Sequence, residues 1–96
     1  MSAHLTKDGN LLHLALAGEL GVASAQALYD ELSLLLDEET SLVVDAAQVS
    51  RIDTSILQLV YFASKRARDF DVAARSPAFA DSWRVLGLED ARRRDR

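Results

Sequence analysis

The chain has 96 residues, 49% of them apolar and only one a proline, which suits a single hydrophobic core, leaves no room for two, and excludes a disordered chain. Its formal charge of −4 excludes a general nucleic-acid binder, because neutralising phosphates needs a basic face that this composition does not supply. With no cysteine there is no disulfide, no thiolate metal site and no thiol nucleophile, a usage that suits a reducing compartment.

The opening "MSAHLTKDGN" lacks the basic-then-apolar layout of a secretory signal, and no apolar run approaches the roughly 18 residues of a membrane span, so a cytoplasmic protein without membrane insertion is expected. "HLTKDGNLLHLALAG" alternates on both sides of Asp8, Gly9 and Asn10, which predicts a hairpin whose second arm turns Leu12, Leu14 and Leu16 to one face. From Ser24 the period becomes helical, with Leu28, Leu32, Leu35 and Leu36 on one stripe. Polar "DEET" ends that helix, and "LVVDA" then reads as a short parallel strand buried on both faces. Asp53 is the expected cap of a second helix, Thr54 to about Phe70, striped by Ile56, Val60, Ala63 and Ala67 and closed by the basic "KRAR". "DVAAR" is a short strand. In "SPAFADSWRVLG" Ser76 caps a third helix, Pro77 opens it, Phe79, Trp83 and Leu86 make its buried stripe, and Gly87 ends it. The order ββαβαβα predicts one two-layer α/β domain with a core over about residues 3–88 and a charged tail over 89–96. That tail, with its "ARRRDR", reads as a solvated end.

Chemistry-bearing residues are few. "GELG" has the spacing of neither a Walker loop nor a dinucleotide fingerprint, so no cofactor is expected. His4 and His13 lie on opposite arms of the hairpin without a third ligand, and read as strand residues rather than a metal site. Asp45 and Asp53 could pair as carboxylates, but no base, nucleophile or oxyanion arrangement accompanies them; Asp45 reads as ordering the strand-to-helix connection and Asp53 as a cap. No enzyme is expected. The hydroxyls of Thr54 and Ser55 fall in the first turn of a helix, where free N–H groups and the positive dipole end favour an anion. They are open to two readings: ordinary first-turn residues, or a place where a phosphate is written.

"LALAGELGVASAQALYDELSLLL", "SLVVDAAQVSRIDTSILQLV" and "SPAFADSWRVLGL" resemble, in order and spacing, the STAS family, which includes bacterial anti-sigma-factor antagonists. The most specific pieces are Gly18-Glu19-Leu20 after a strand, and a strand ending in Asp45 followed by Ile52-Asp53-Thr54-Ser55. The resemblance implies a STAS-like mixed sheet backed by helices, a non-enzymatic signalling module, and a phosphoacceptor at Ser55. In the antagonist branch a partner serine kinase, itself the anti-sigma factor, modifies that serine; the unphosphorylated form binds the partner and releases the sigma factor. The docking segment implied here is Asp45, Asp53, Thr54, Ser55 and Ile56. Ile56 stands where that motif usually continues with glycine, so it either obstructs a close backbone approach or buries inward and leaves the docking face untouched.

Two other branches are similar. In the small STAS subunit of a lipid-asymmetry ABC transporter the equivalent threonine meets the ATPase, which would make Thr54 a constitutive contact. STAS proteins linked to chemotaxis clusters often carry a non-glycine residue after the motif and the "LQL" found here at Leu57 to Leu59. The expected partner is thus a protein: an anti-sigma serine kinase, a chemotaxis protein or an ABC ATPase. Leu57, Tyr61 and Phe62, if exposed, would make a homodimer face.

Overall fold

Gly9 turns the chain at φ +62°, where a Cβ would be strained, and the turn lets β1 (Ser2–Asp8) pair antiparallel with β2 (Leu11–Leu20), Leu5 opposite Leu14 and Asp8 opposite Leu11. The structure, a computed structural model, describes residues 2–87; the charged tail lies outside them. A short 3₁₀ turn (Val22–Ser24) leads to α1 (Ala25–Leu35), β3 (Ser41–Ile52), α2 (Thr54–Arg66), β4 (Asp69–Arg75) and α3 (Pro77–Val85), the expected ββαβαβα order.

The sheet runs β1-β2-β3-β4, with β2, β3 and β4 parallel. Two successive crossovers in the same direction place α1 and α2 on one face, since such connections are right-handed. There the buried apolar side chains of the described residues form one cluster: Leu12, Leu14 and Leu16 from β2, Leu42 and Val44 from β3, and inward stripes from all three helices. Trp83 stacks on Phe79 at 5.4 Å between centroids and on Phe70 at 6.2 Å, joining α3 to β4. Ser76 Oγ accepts from the Phe79 N–H at 3.1 Å, the expected cap, and Gly87 N–H donates to the Arg84 carbonyl at 2.9 Å where α3 stops.

The parallel ladder is irregular where it approaches α2. Between Ala15 and Ala17 of β2 the β3 partner advances from Asp45 to Gln48, and between Gly18 and Glu19 it advances from Val49 to Arg51. Each step leaves an extra residue on β3, so its inward set shifts from Leu42, Val44 and Ala46 to Val49. Gly18, at φ +75°, accommodates the second bulge in a conformation that suits glycine.

Several expectations are corrected. β3 is not buried on both faces: Asp45 is exposed and Val43 half-buried, and their neighbours His13 and Ala15 on the same open side are exposed, because every helix lies on the other face. α2 stops at Arg66 rather than near Phe70, since Ala67 is extended and Phe70 is needed in β4 against Trp83. Leu86 is 42% exposed, because α3 ends one residue earlier and the chain turns away. Leu57 is 1% exposed, which removes it from any homodimer face and leaves Phe62 exposed with Tyr61 half-buried.

Leu57 and Leu34 provide a contrast of burial at constant chemistry. Leu57→Ala is expected to cost about 2–5 kcal/mol in urea unfolding, whereas Leu34→Ala, at a position 85% exposed, should stay within about 0.5 kcal/mol of wild type.

Candidate functional site

Two of the sequence motifs meet at one point. The Asp53 N–H donates to the Leu20 carbonyl at 2.8 Å, so the residue after β3 is tied to the last residue of β2, bringing Gly18-Glu19-Leu20 beside Ile52-Asp53-Thr54-Ser55. Asp53 has the extended backbone of an N-cap (φ −77°, ψ 151°). Its Oδ2 accepts from the Ser55 N–H at 2.9 Å and from the Ser55 hydroxyl at 2.7 Å, while its carbonyl accepts from the N–H groups of Ile56 at 3.1 Å and Leu57 at 3.3 Å. The Ser55 Oγ is therefore held in one direction by a charge-assisted hydrogen bond, at the end of a helix whose dipole favours negative charge.

The next two residues fix this turn from below. Ile56 is 0% exposed and Leu57 1% exposed, so α2 cannot rotate about its axis without withdrawing both from the core. Ile56 therefore buries inward and presents no side chain to a partner; Asp53 and Thr54 are exposed and Ser55 is half-buried.

Three shallow concavities surround the turn. One, of about 370 Å³, is lined by Glu19, Leu20, Gly21, Arg51, Ile52 and Asp53 at the carboxyl ends of β2 and β3. A second lies between α1 and α2 and includes Gln26, Tyr29, Ser55 and Leu59. The third, between α2 and α3, includes Ile52, Thr54, Leu57, Val85 and Leu86. Tyr29 and Phe62, 44% and 52% exposed, continue the α1–α2 seam away from Ser55. Tyr29, Val85 and Leu86 were not legible as site neighbours in the sequence, since elements distant along the chain bring them there.

Asp45 lies elsewhere. β3 runs unbroken to Ile52, so the expected docking segment is mostly strand, and Asp45 stands seven residues before its end, about 25 Å of extended chain from Asp53. Its Oδ1 accepts from the Ala47 N–H at 3.1 Å, and so orders the first β3 bulge rather than the entry to α2. The two carboxylates do not pair. His4 and His13 sit on adjacent strands, opposite Ala15 and Thr6, and among the described residues no group of three or more His, Cys, Asp or Glu is placed to hold a metal ion. No helix of the described residues is long and apolar enough to cross a membrane.

The Ser55 hydroxyl, and after it the Ser55 N–H, hold the Asp53 carboxyl below its ordinary value, with slight desolvation opposing. Asp37, in the α1–β3 connection, is lowered in the same way by the Thr40 hydroxyl and the Glu39 N–H. A depressed folded-state value means stabilisation that is complete above the unfolded value, near 3.8, and lost as pH falls through the folded one. Urea unfolding below about pH 4 should therefore show wild type losing stability on acidification, and Asp53→Asn losing less over the same interval. An unchanged slope in the variant would remove Asp53 from the linkage.

A family model described as "Mlab, STAS domain" matches residues 3–93. No curated protein matches the chain closely enough to count as a relative. Among solved structures, an anti-sigma factor antagonist from Mycobacterium paratuberculosis is similar with a TM-score of 0.78 at 20% identity, over 93% of this chain and 80% of that one. The anti-sigma factor antagonist SpoIIAA in its unphosphorylated form is similar with a TM-score of 0.76 at 16% identity, over 91% of this chain and 82% of that one. Identities this low speak for the fold; the family match, which runs from β1 past the end of α3, speaks for descent, and the chain belongs to the STAS domain family.

Proposed function

We propose that this chain is a regulatory, non-enzymatic protein-interaction module that docks a partner through the turn Asp53–Ser55 and is switched by phosphorylation of Ser55. The observation that carries the reading is the Ser55 hydroxyl, held by Asp53 at the N-terminal turn of α2 while Ile56 points into the core. A partner can approach the turn because the residue in the glycine position takes its bulk inward. The partner class, by similarity to the anti-sigma factor antagonists, is an anti-sigma factor acting as a serine kinase.

Phosphorylation has a definite physical effect here. It adds about −1.5 to −2 charges beside Asp53 and removes the O–H that Asp53 accepts from. The helix end favours the phosphate and the carboxylate repels it, so the fold is retained while a surface carrying Glu19, Arg51 and Asp53 becomes strongly anionic. A partner face that fits the first surface does not fit the second.

Pull-down with mass spectrometry tests both halves. Phosphate on Ser55 and a kinase-like partner on the unmodified form are expected, and Ser55→Asp should weaken capture by at least about tenfold while the melting temperature stays within a few degrees of wild type. Loss of capture and of melting temperature together would make Ser55 a structural cap.

A second reading is favoured by the family model, whose description names Mlab, and by Ile56 itself. In it the chain is a constitutive adaptor subunit of a lipid-transport ATPase or a chemotaxis-type complex, with Thr54 as the contact. Thr54 is exposed at the α2–α3 concavity, as that role requires. It predicts a co-purifying ATPase or chemotaxis protein that Thr54→Arg releases and Ser55→Ala does not.

A further inference from the structure

We propose that β4 is a self-pairing edge: a second copy of this chain lays its own β4 antiparallel to the first about a two-fold axis at Val72, so that the two four-stranded sheets become one continuous sheet. The inference does not rest on the reading of Ser55, since no residue of β4 lines the concavities around the turn Asp53–Ser55.

Position makes the pairing possible. Among the described residues the sheet ends at β4, which has β3 on one side only, and a strand so placed presents N–H and C=O groups along its outer side. α3 packs mainly over β3 rather than over β4, so the helix layer is centred away from that edge. The inward side chains show the same thinning: Leu42 and Val44 of β3 are buried, whereas Phe70 and Val72, their partners on β4, are half-buried. A further strand beside β4 extends the cover over both.

Charge selects the occupant. β4 reads Asp69-Phe70-Asp71-Val72-Ala73-Ala74-Arg75, and exposure alternates along all of it, past the extra residue that bulges against β3 between Val72 and Ala74. Reversed upon itself about Val72, the strand sets Asp69 opposite Arg75 at both ends, Phe70 opposite Ala74, and Asp71 opposite Ala73. Unlike charges directly opposed favour a ladder and like charges disfavour one. A two-residue slip one way brings Asp71 opposite its own copy, and the other way leaves Asp69 beyond the ladder. Both ends are available for the pairing: Asp69 meets the Ser41 hydroxyl at 3.3 Å and Arg68 at 3.6 Å through Oδ2 alone, and Arg75 makes no ion pair among the described residues. β1, the other outer strand, lacks this symmetry, since reversal about Leu5 sets Lys7 opposite Ala3 and Thr6 opposite His4.

Sedimentation equilibrium of the full chain tests the proposal. At about 0.1 M salt the wild type should form dimers with a Kd on the order of 10–100 µM, as suits an interface the size of one strand edge. Arg75→Asp and Asp69→Arg each oppose like charges at both ends of the ladder, and each should weaken association at least about tenfold while the melting temperature stays within a few degrees of wild type. An equimolar mixture of the two variants sets arginine opposite aspartate again at both ends and should recover a mixed dimer near wild-type affinity, which a loss of fold in either variant does not produce. A one-chain mass at every concentration up to about 1 mM, a dimer that neither substitution weakens and that therefore uses another face, or a mixture that stays monomeric would each overturn the proposal.

Discussion

The hydrogen bond from the Asp53 N–H to the Leu20 carbonyl is the joint on which the site depends. It closes the carboxyl ends of β2 and β3 and thereby sets where α2 begins. Once Asp53 is placed, its carboxylate satisfies the Ser55 N–H and orients the Ser55 hydroxyl, and its carbonyl accepts the first helical bonds from Ile56 and Leu57. The burial of Ile56 and Leu57 then prevents rotation of the helix. Backbone pairing, capping and core packing all converge on the five residues from Asp53 to Leu57, which leaves their exposed atoms in a defined direction without further support.

That convergence bears on the proposed phosphorylation of Ser55. The groups holding Ser55 in place are backbone and core groups that a phosphate does not touch, apart from the Asp53 carboxylate. A charge written there alters the surface far more than the fold. Concavities on three sides, formed with β2, α1 and α3, surround the turn. The open side of the sheet, with His13, Ala15 and Asp45, takes no part in this arrangement.

Much of the fold was legible in the residues because local rules and tertiary demands agreed. Asp8-Gly9-Asn10 made the hairpin, Ser76-Pro77 opened α3, and the stripe Ile56, Val60, Ala63 and Ala67 is buried as its spacing required. The errors arose where long-range packing overrode a local pattern. Phe70 continues the helical run of α2, but stacking against Trp83 draws it into β4. "LVVDA" has the β-branched density of a doubly covered strand, yet helices on only one side leave Asp45 in the open.

The sequence by itself determined the element order, the core stripes, the Asp53 cap and the presence of two hydroxyls in the first turn of α2. Those features follow from the 3.6- and 2-residue periods and from the chemistry of unpaired helix N–H groups, all of which act over a few neighbouring residues. Only the tertiary structure decided that Ile56 faces the core, that Asp45 lies on the far side of the sheet, and that Glu19, Tyr29 and Leu86 gather around the turn Asp53–Ser55. The bulges in β3 shift which of its side chains face inward, and the crossovers bring together residues separated by up to two-thirds of the chain. Neither effect leaves a local trace for periodicity to detect.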